Sequence, residues 1–94
     1  MSRFTPSGYA ELGLFPGANR CRFRLVNVRD DGLVVQTLGH QENGGRLGPI
    51  HKGRHFATFV GRPGEVAQIA LYDTHEAAAE GHRTTLDVWE DMDG

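Results

Sequence analysis

Four segments rich in β-forming residues, each bounded by turn residues, predict a small antiparallel sheet. They are residues 21–29, 33–39, 55–60 and 65–72, and the last alternates between apolar and polar positions. Asp30-Asp31-Gly32 separates the first two and suits a turn that needs positive φ. Pro63 followed by Gly64 has the order of a type II turn before the fourth segment. These turns predict a meander of four strands.

The segment after the fourth strand predicts one amphipathic helix that ends near residue 90. Thr74 or Asp73 can cap its first turn, because a side-chain oxygen can accept from a free amide there. Spacings of four, three and four place one stripe of the helix against the sheet. The residues of that stripe are Ala78, His82, Thr85 and Trp89.

Gly81 lies beside this stripe, where it costs about 1 kcal/mol against alanine. We interpret it as architectural, because a residue without Cβ lets the helix backbone approach the sheet. His82 is then partly buried and needs a partner for at least one ring nitrogen. A strand-edge carbonyl, Thr58 or Tyr72 is the expected partner.

The predicted organisation is a single α+β domain over residues 1–94. It contains a four-stranded antiparallel meander with one C-terminal amphipathic helix on one face (ββββα). Residues 1–19 are predicted to be irregular with at most a short strand, 20–90 to form the meander and helix, and 91–94 to fray. Residues 40–54 are predicted to be a long loop. Residues 1–19, a second copy of the chain or a partner must cover the other sheet face.

Composition narrows the classes of protein. Thirteen glycines favour β structure with turns, and the lone cysteine, Cys21, excludes a disulfide framework or a multi-cysteine zinc site. The amino terminus has no apolar run of signal-peptide length, and the longest aliphatic cluster is too short for a membrane span. We expect a cytoplasmic protein, in a phage setting the host cytoplasm.

Charge is divided unevenly along the chain. Residues 1–62 carry nine Arg or Lys and four acids, whereas residues 63–94 carry one Arg and eight acids, for a net charge of −2. Such asymmetry orients an encounter with a charged partner. The residues expected to bind a partner are the acids of the helix, Glu76, Glu80, Asp87 and Glu90.

Histidines are the candidate metal ligands. His51 and His55 have the four-residue spacing of a helical zinc pair, but they lie in a glycine-rich segment. His75 and His82 lie two turns apart on a helix, about 10 Å, too far for one ion to bind both directly. His82 could meet His40, His51 or His55 only through folding. We predict no cofactor, no metal and no catalytic residue, with a small metal-binding or enzymatic domain that uses His82 and a loop histidine as the alternative.

A basic strand provides a further alternative. Arg20, Arg22 and Arg24 alternate along the first strand and could meet phosphate or nucleic acid. Nucleic acid is not the expected partner, because the net charge is negative and the acidic helix would repel a polyanion. The segment GGRLG is not a phosphate loop, since it precedes no helix and lacks the Lys-Ser/Thr ending.

Three segments resemble short proteins of actinobacterial bacteriophages. LVVQTLG, residues 33–39, is similar to their strand that ends in Leu-Gly, and FATFV, residues 56–60, to their Phe-Glu-Thr-Met-Val-Phe strand. LYDTHEAAAEGH, residues 71–82, is similar to Arg-Tyr-x-Thr-x-Glu-Glu-Ala-x-x-Gly-His. The resemblance covers roughly residues 22–90. It implies a phage or prophage accessory gene and no known reaction.

Two positions depart from that pattern. Ala57 stands where these phage proteins have Glu, and Gln41-Glu42 stand where Asp-His often follows Leu-Gly. If those residues form a site, this chain has lost part of it. We therefore expect a non-catalytic accessory protein that acts by contact with a host or phage protein or with itself as a homodimer. By analogy with such genes, blocking a host enzyme or defence complex is one role.

Overall fold

The structure, a computed structural model, describes residues 2–7, 14–15 and 17–92. It contains six strands and one α-helix, with a short 3-10 turn at Ala18–Arg20. The elements are β1 (Phe4–Pro6), β2 (Cys21–Arg29), β3 (Val34–Asn43), β4 (Arg46–Gly48), β5 (Phe56–Arg62), β6 (Glu65–Tyr72) and α1 (His75–Glu90).

All strand pairs are antiparallel, in the order β1-β2-β3-β5-β6, and β4 pairs with the end of β3. The predicted α+β class and antiparallel sheet are confirmed, and the four predicted strands correspond to β2, β3, β5 and β6. The turn between β2 and β3 has Gly32 at φ 94, and the Arg29 N–H donates to Leu33 O at 2.7 Å. Gly64 also has positive φ, 85, between β5 and β6.

The prediction of four strands was too low, because two short strands join the sheet. β1 adds to the edge of β2, with Phe4 opposite Arg29. The predicted 40–54 loop is partly strand, since β3 continues to residue 43 and β4 folds back on it. Gly44 and Gly45 have φ of 58 and 83, the positive values of a tight hairpin turn. The Asn-Gly-Gly sequence there was the missed signal.

Each face of the sheet has a hydrophobic cluster. On the face beneath α1, buried Leu33, Val35 and Val60 pack with Phe4, Leu86 and Trp89. The other cluster contains Val26, Leu38 and Phe59 together with Leu14, Ala18 and Ile50. The chain therefore covers its own second face, through the segment before β2 and the segment after β4. Tyr9 and Leu12, the other large apolar residues of the segment before β2, lie outside the described residues.

α1 begins where the sequence predicts. Thr74 is the N-cap, and its hydroxyl accepts from the Ala77 N–H at 3.1 Å. The predicted stripe faces the sheet, with Ala78 and His82 buried and the later two positions half-buried. Within the described part of the chain, no helix combines the length and the apolar character that crossing a bilayer requires.

Candidate functional site

Gly81 is the point of close approach between α1 and the sheet. A Cβ at this position would lie 2.3 Å from ring atoms of Tyr72, on β6. Real Cβ atoms do not approach other atoms so closely, so any side chain would move the helix or the tyrosine. The contact that favours glycine at position 81 is therefore the ring of Tyr72, which agrees with the architectural interpretation.

His82, the next residue, is 5 % exposed and connects three strands. Its Nδ1 lies 2.6 Å from Thr37 Oγ1, and its Nε2 lies 2.8 Å from Asn27 Oδ1. Thr37 Oγ1 lies 2.6 Å from Thr58 Oγ1. Thr37 and Asn27 were not among the partners expected for His82. Thr58, which was expected, is connected to His82 only through Thr37.

The partners of His82 define the tautomer of its neutral ring. Asn27 Oδ1 can only accept, so Nε2–H donates to it, and Nδ1 accepts from the Thr37 hydroxyl. Thr37 in turn accepts from the Thr58 hydroxyl, which satisfies a neutral imidazole. Burial lowers the pKa of His82 from 6.5 to about 4, because the charged form loses its hydration. Both ring nitrogens are engaged, so His82 holds the helix on the sheet.

His40 and His55 lie next to each other, at the point where β3 leaves β5. Their ring centroids are 5.2 Å apart, and the His40 N–H donates to His55 O at 2.9 Å. The His51 ring instead packs against Phe59, with 6.1 Å between the ring centroids, and the His75 ring packs against Phe23. Of the metal candidates, folding therefore pairs His40 with His55. Within the described ranges, no group of three or more His, Cys, Asp or Glu could hold a metal ion.

The acidic face of α1 is divided by the tertiary structure. Glu76, Glu80 and Asp87 are exposed. Glu90 instead accepts from the Arg3 N–H at 2.6 Å and from the Ser2 hydroxyl at 3.1 Å. Three of the four acids predicted to meet a partner are therefore available to solvent, and the fourth holds the segment that leads into β1.

The basic strand lines a shallow cavity of about 570 Å³. Arg20, Arg22 and Arg24 contribute to its wall, although Arg20 belongs to the 3-10 turn before β2. Glu42 also lines it and accepts from Arg22 Nε at 2.9 Å. Cys21 is buried at the same place, and burial raises the pKa of its thiol. The cavity therefore suits an anion, and its cysteine is not activated.

Arg29 stabilises the fold, and the sequence pattern did not predict this role. It is 2 % exposed, and its guanidinium donates to both carboxylate oxygens of Asp31, at 2.7 and 2.6 Å. The same guanidinium donates to the backbone carbonyls of Trp89, at 2.7 Å, and Met92. This pairing holds the pKa of the Asp31 carboxyl well below its usual range. Arg29 thus fastens the carboxyl end of α1 to the β2–β3 turn.

The open edge of the sheet is a second feature that the sequence did not mark. Among the described residues β6 pairs only with β5, so its other edge presents backbone donors and acceptors to solvent. Val66 and Ile69 on this strand are 40 % and 42 % exposed. Over 66–72 the strand has no charged residue. An edge of this kind is a template for a further strand.

The fold defines an α+β protein with an antiparallel sheet and one C-terminal helix. No protein-family model matches the chain, and no solved structure matches it. Among curated proteins it is similar to a cobyric acid synthase of Ruegeria sp. (strain TM1040), with 28% identity over 95 residues. That alignment covers 93% of this chain and 20% of the synthase, so the chain spans about a fifth of the length of that relative.

Proposed function

We propose that the protein is a small, non-catalytic binding module that accepts an extended segment of another protein as an additional strand on β6. The open β6 edge carries this proposal. Proteins commonly protect sheet edges with Lys, Pro or bulges, since the free backbone groups otherwise pair with another chain. β6 itself has one bulge, because the register shifts between Val60 and Gly61 and leaves Ala67 as an extra residue. The part of the edge proposed for strand addition is therefore Gln68–Tyr72, which pairs regularly beyond the bulge.

The flank of α1 next to β6 supports an aliphatic partner. Gly81 contacts Tyr72 of β6, and helical spacing places Ala77, Thr84 and Val88 on the same side. None of these positions is charged, and Val88 is 50 % exposed. The exposed acids Glu76, Glu80 and Asp87 lie on the solvent-facing side of the helix, opposite the stripe that packs on the sheet. An incoming strand therefore meets an uncharged surface along β6.

A small cavity at the start of β6 offers an anchor for one side chain. It has a volume of about 220 Å³, and Leu33, Val66, Ala67 and Trp89 contribute to its lining. The Trp89 Nε1–H is buried and has no hydrogen-bond partner among the residues that the structure describes. An aliphatic side chain of the partner would fill this cavity, and a carbonyl of the partner would accept from the indole.

Charge supports a partner with a basic surface. The carboxyl-terminal third of the chain carries most of the acids, and Glu76, Glu80 and Asp87 are exposed. Such a field raises the rate of encounter with a positively charged protein. Strand addition then provides the specific contacts. A phage-type accessory protein that blocks a host enzyme or defence complex could act in this way.

An NMR titration tests the proposal. The probe is a synthetic peptide with the β6 sequence 66–72, flanked by two lysines at each end. We expect saturable shifts of the Gln68–Tyr72 amides and of the Trp89 indole N–H. Ile69→Lys should abolish them, because it places a charge on the edge strand, whereas the control Leu47→Lys should not. Leu47 is similarly exposed, at 45 %, but lies on β4.

Two results would contradict strand addition. In the first, Ile69→Lys binds the peptide as well as the control variant does. In the second, the shifts map only to the acidic face of α1 and vanish at high salt, which would indicate charge attraction alone. Sedimentation at several concentrations identifies the case in which a second copy of the chain occupies the edge.

The cavity beside Arg20, Arg22 and Arg24 favours a second candidate function, the binding of a phosphate-bearing ligand. Its volume, about 570 Å³, is in the range of small-molecule sites. Titration with inorganic pyrophosphate and with single-stranded RNA tests this candidate. Arg24→Gln should weaken both, and the affinity for RNA should fall as salt rises. Unchanged affinity in the variant would exclude the cavity.

A further inference from the structure

His40 stands at a constrained point of the sheet. Gly39 is the last residue of β3 that pairs with β5, and Gln41 pairs with β4, so His40 lies where β3 changes partners. Its φ is 54, in the left-handed region, which costs about 1–2 kcal/mol for a residue with a Cβ. Strained backbone of this kind in non-glycine residues clusters at catalytic and ligand-binding sites, where the surrounding structure holds it in place.

The His40 and His55 rings both have unsatisfied nitrogens. Nδ1 of each ring is buried, and neither has a hydrogen-bond partner in the described part of the chain. A buried polar atom without a partner costs about 1–3 kcal/mol. Two such nitrogens on adjacent half-buried rings call for an explanation.

The separation of the ring centroids is compatible with a shared ion. With the nitrogen about 1.2 Å from the ring centroid and a Zn–N distance of about 2.0–2.1 Å, two imidazoles on one tetrahedral ion have centroids about 5 Å apart. The observed centroids of His40 and His55 are 5.2 Å apart, with the ring planes at 48°. The hydrogen bond from the His40 N–H to His55 O holds the two backbones together, and this keeps the two rings adjacent.

The geometry points to a divalent transition-metal site at His40 and His55, which bind the ion through their Nδ1 atoms while water completes the coordination. Imidazole ligands select Zn²⁺, Ni²⁺ or Cu²⁺ over Mg²⁺ and Ca²⁺. The neighbouring cation, Arg54, is already balanced, because its Nε lies 2.7 Å from Asp73 Oδ1. The site does not depend on strand addition at β6.

Calorimetric titration of tag-free protein with ZnCl₂ tests the site. We expect one equivalent of Zn²⁺ to bind. His55→Gln and His40→Asn should each weaken binding by roughly tenfold or more, since even the loss of an outer hydrogen-bond partner of a ligand has that effect. His40→Asn retains a residue that tolerates positive φ. The controls His51→Gln and His75→Gln should bind Zn²⁺ as the wild type does.

NMR of the wild-type protein with ¹⁵N-labelled histidine decides the question independently of any variant. Zn²⁺ should shift the Nδ1 resonances of His40 and His55 and leave those of His82 unchanged. Absence of saturable binding, equal loss in His51→Gln, or Nδ1 shifts at other histidines would overturn the proposal. Far-UV circular dichroism confirms that each variant is folded before its affinity is interpreted.

Discussion

Acidification should destabilise the protein through His82. The histidine is neutral and hydrogen-bonded to Thr37 and Asn27, and burial lowers its pKa from 6.5 to about 4. Between these two values the unfolded chain binds a proton that the folded protein does not. The contribution of His82 to the free energy of unfolding is therefore largest above about pH 6.5, falls as the pH decreases, and levels off below about pH 4.

The size of this effect follows from the two pKa values. A difference of about 2.5 pKa units corresponds to about 3 kcal/mol once the pH is below both values, and to about 2 kcal/mol at pH 5. Because His82 is 5 % exposed, little solvent screening reduces this figure. Small domains are stable by about 5–15 kcal/mol, so the loss is a substantial part of the total.

Urea unfolding at pH 7.5, 6.5, 5.5 and 4.5 measures the effect, with His82→Gln as the reference. The variant should be less stable at pH 7.5 by about 1–3 kcal/mol, since it leaves a buried partner unsatisfied. Its stability should change less with pH than that of the wild type. The Asp31 carboxyl and other acids titrate in both proteins, so they cancel in the difference.

Parallel curves for the wild type and His82→Gln would refute the reasoning. That result would mean that His82 binds its proton equally well in the folded and unfolded states. A direct NMR titration of the His82 ring provides a second check, because a midpoint near 6.5 in the folded protein would contradict the buried, neutral assignment.

Two substitutions test the contacts of α1 with the sheet. Gly81→Ala should lower the free energy of unfolding by about 1–3 kcal/mol, because its Cβ would lie 2.3 Å from the Tyr72 ring. Helix propensity alone predicts the opposite, a gain of about 1 kcal/mol. The sign of the change in urea unfolding therefore shows whether the clash with Tyr72 or helix propensity dominates. Arg29→Met should cost about 3–5 kcal/mol, because it leaves two carbonyls of the α1 carboxyl end and Asp31 without their partner. A thermal midpoint of Arg29→Met equal to the wild type would show that this guanidinium does not fasten the helix.

Elements specified by neighbouring residues could be predicted from the sequence. The Asp30-Asp31-Gly32 turn needs only a local positive φ, and Gly32 adopts it at φ 94. Thr74 caps α1 through a hydroxyl three residues from its donor. The stripe containing Ala78 and His82 follows from the helical period, so its buried side was also predictable. In each case the interacting groups lie within a few residues of one another.

Features that depend on pairing between distant strands could not be predicted. Nothing near β1 in the sequence indicates which strand it joins, and an uncharged apolar segment such as β6 can be either a central strand or an edge strand. β4 is the exception, because the Asn-Gly-Gly turn before it indicates a hairpin with β3. The contact of His40 with His55 depends on how β3 pairs with β5. His82 finds Asn27, 55 residues away, only because α1 packs across β2 and β3. The periodicity of a segment determines which side it buries, whereas its partners are selected by packing of the whole chain.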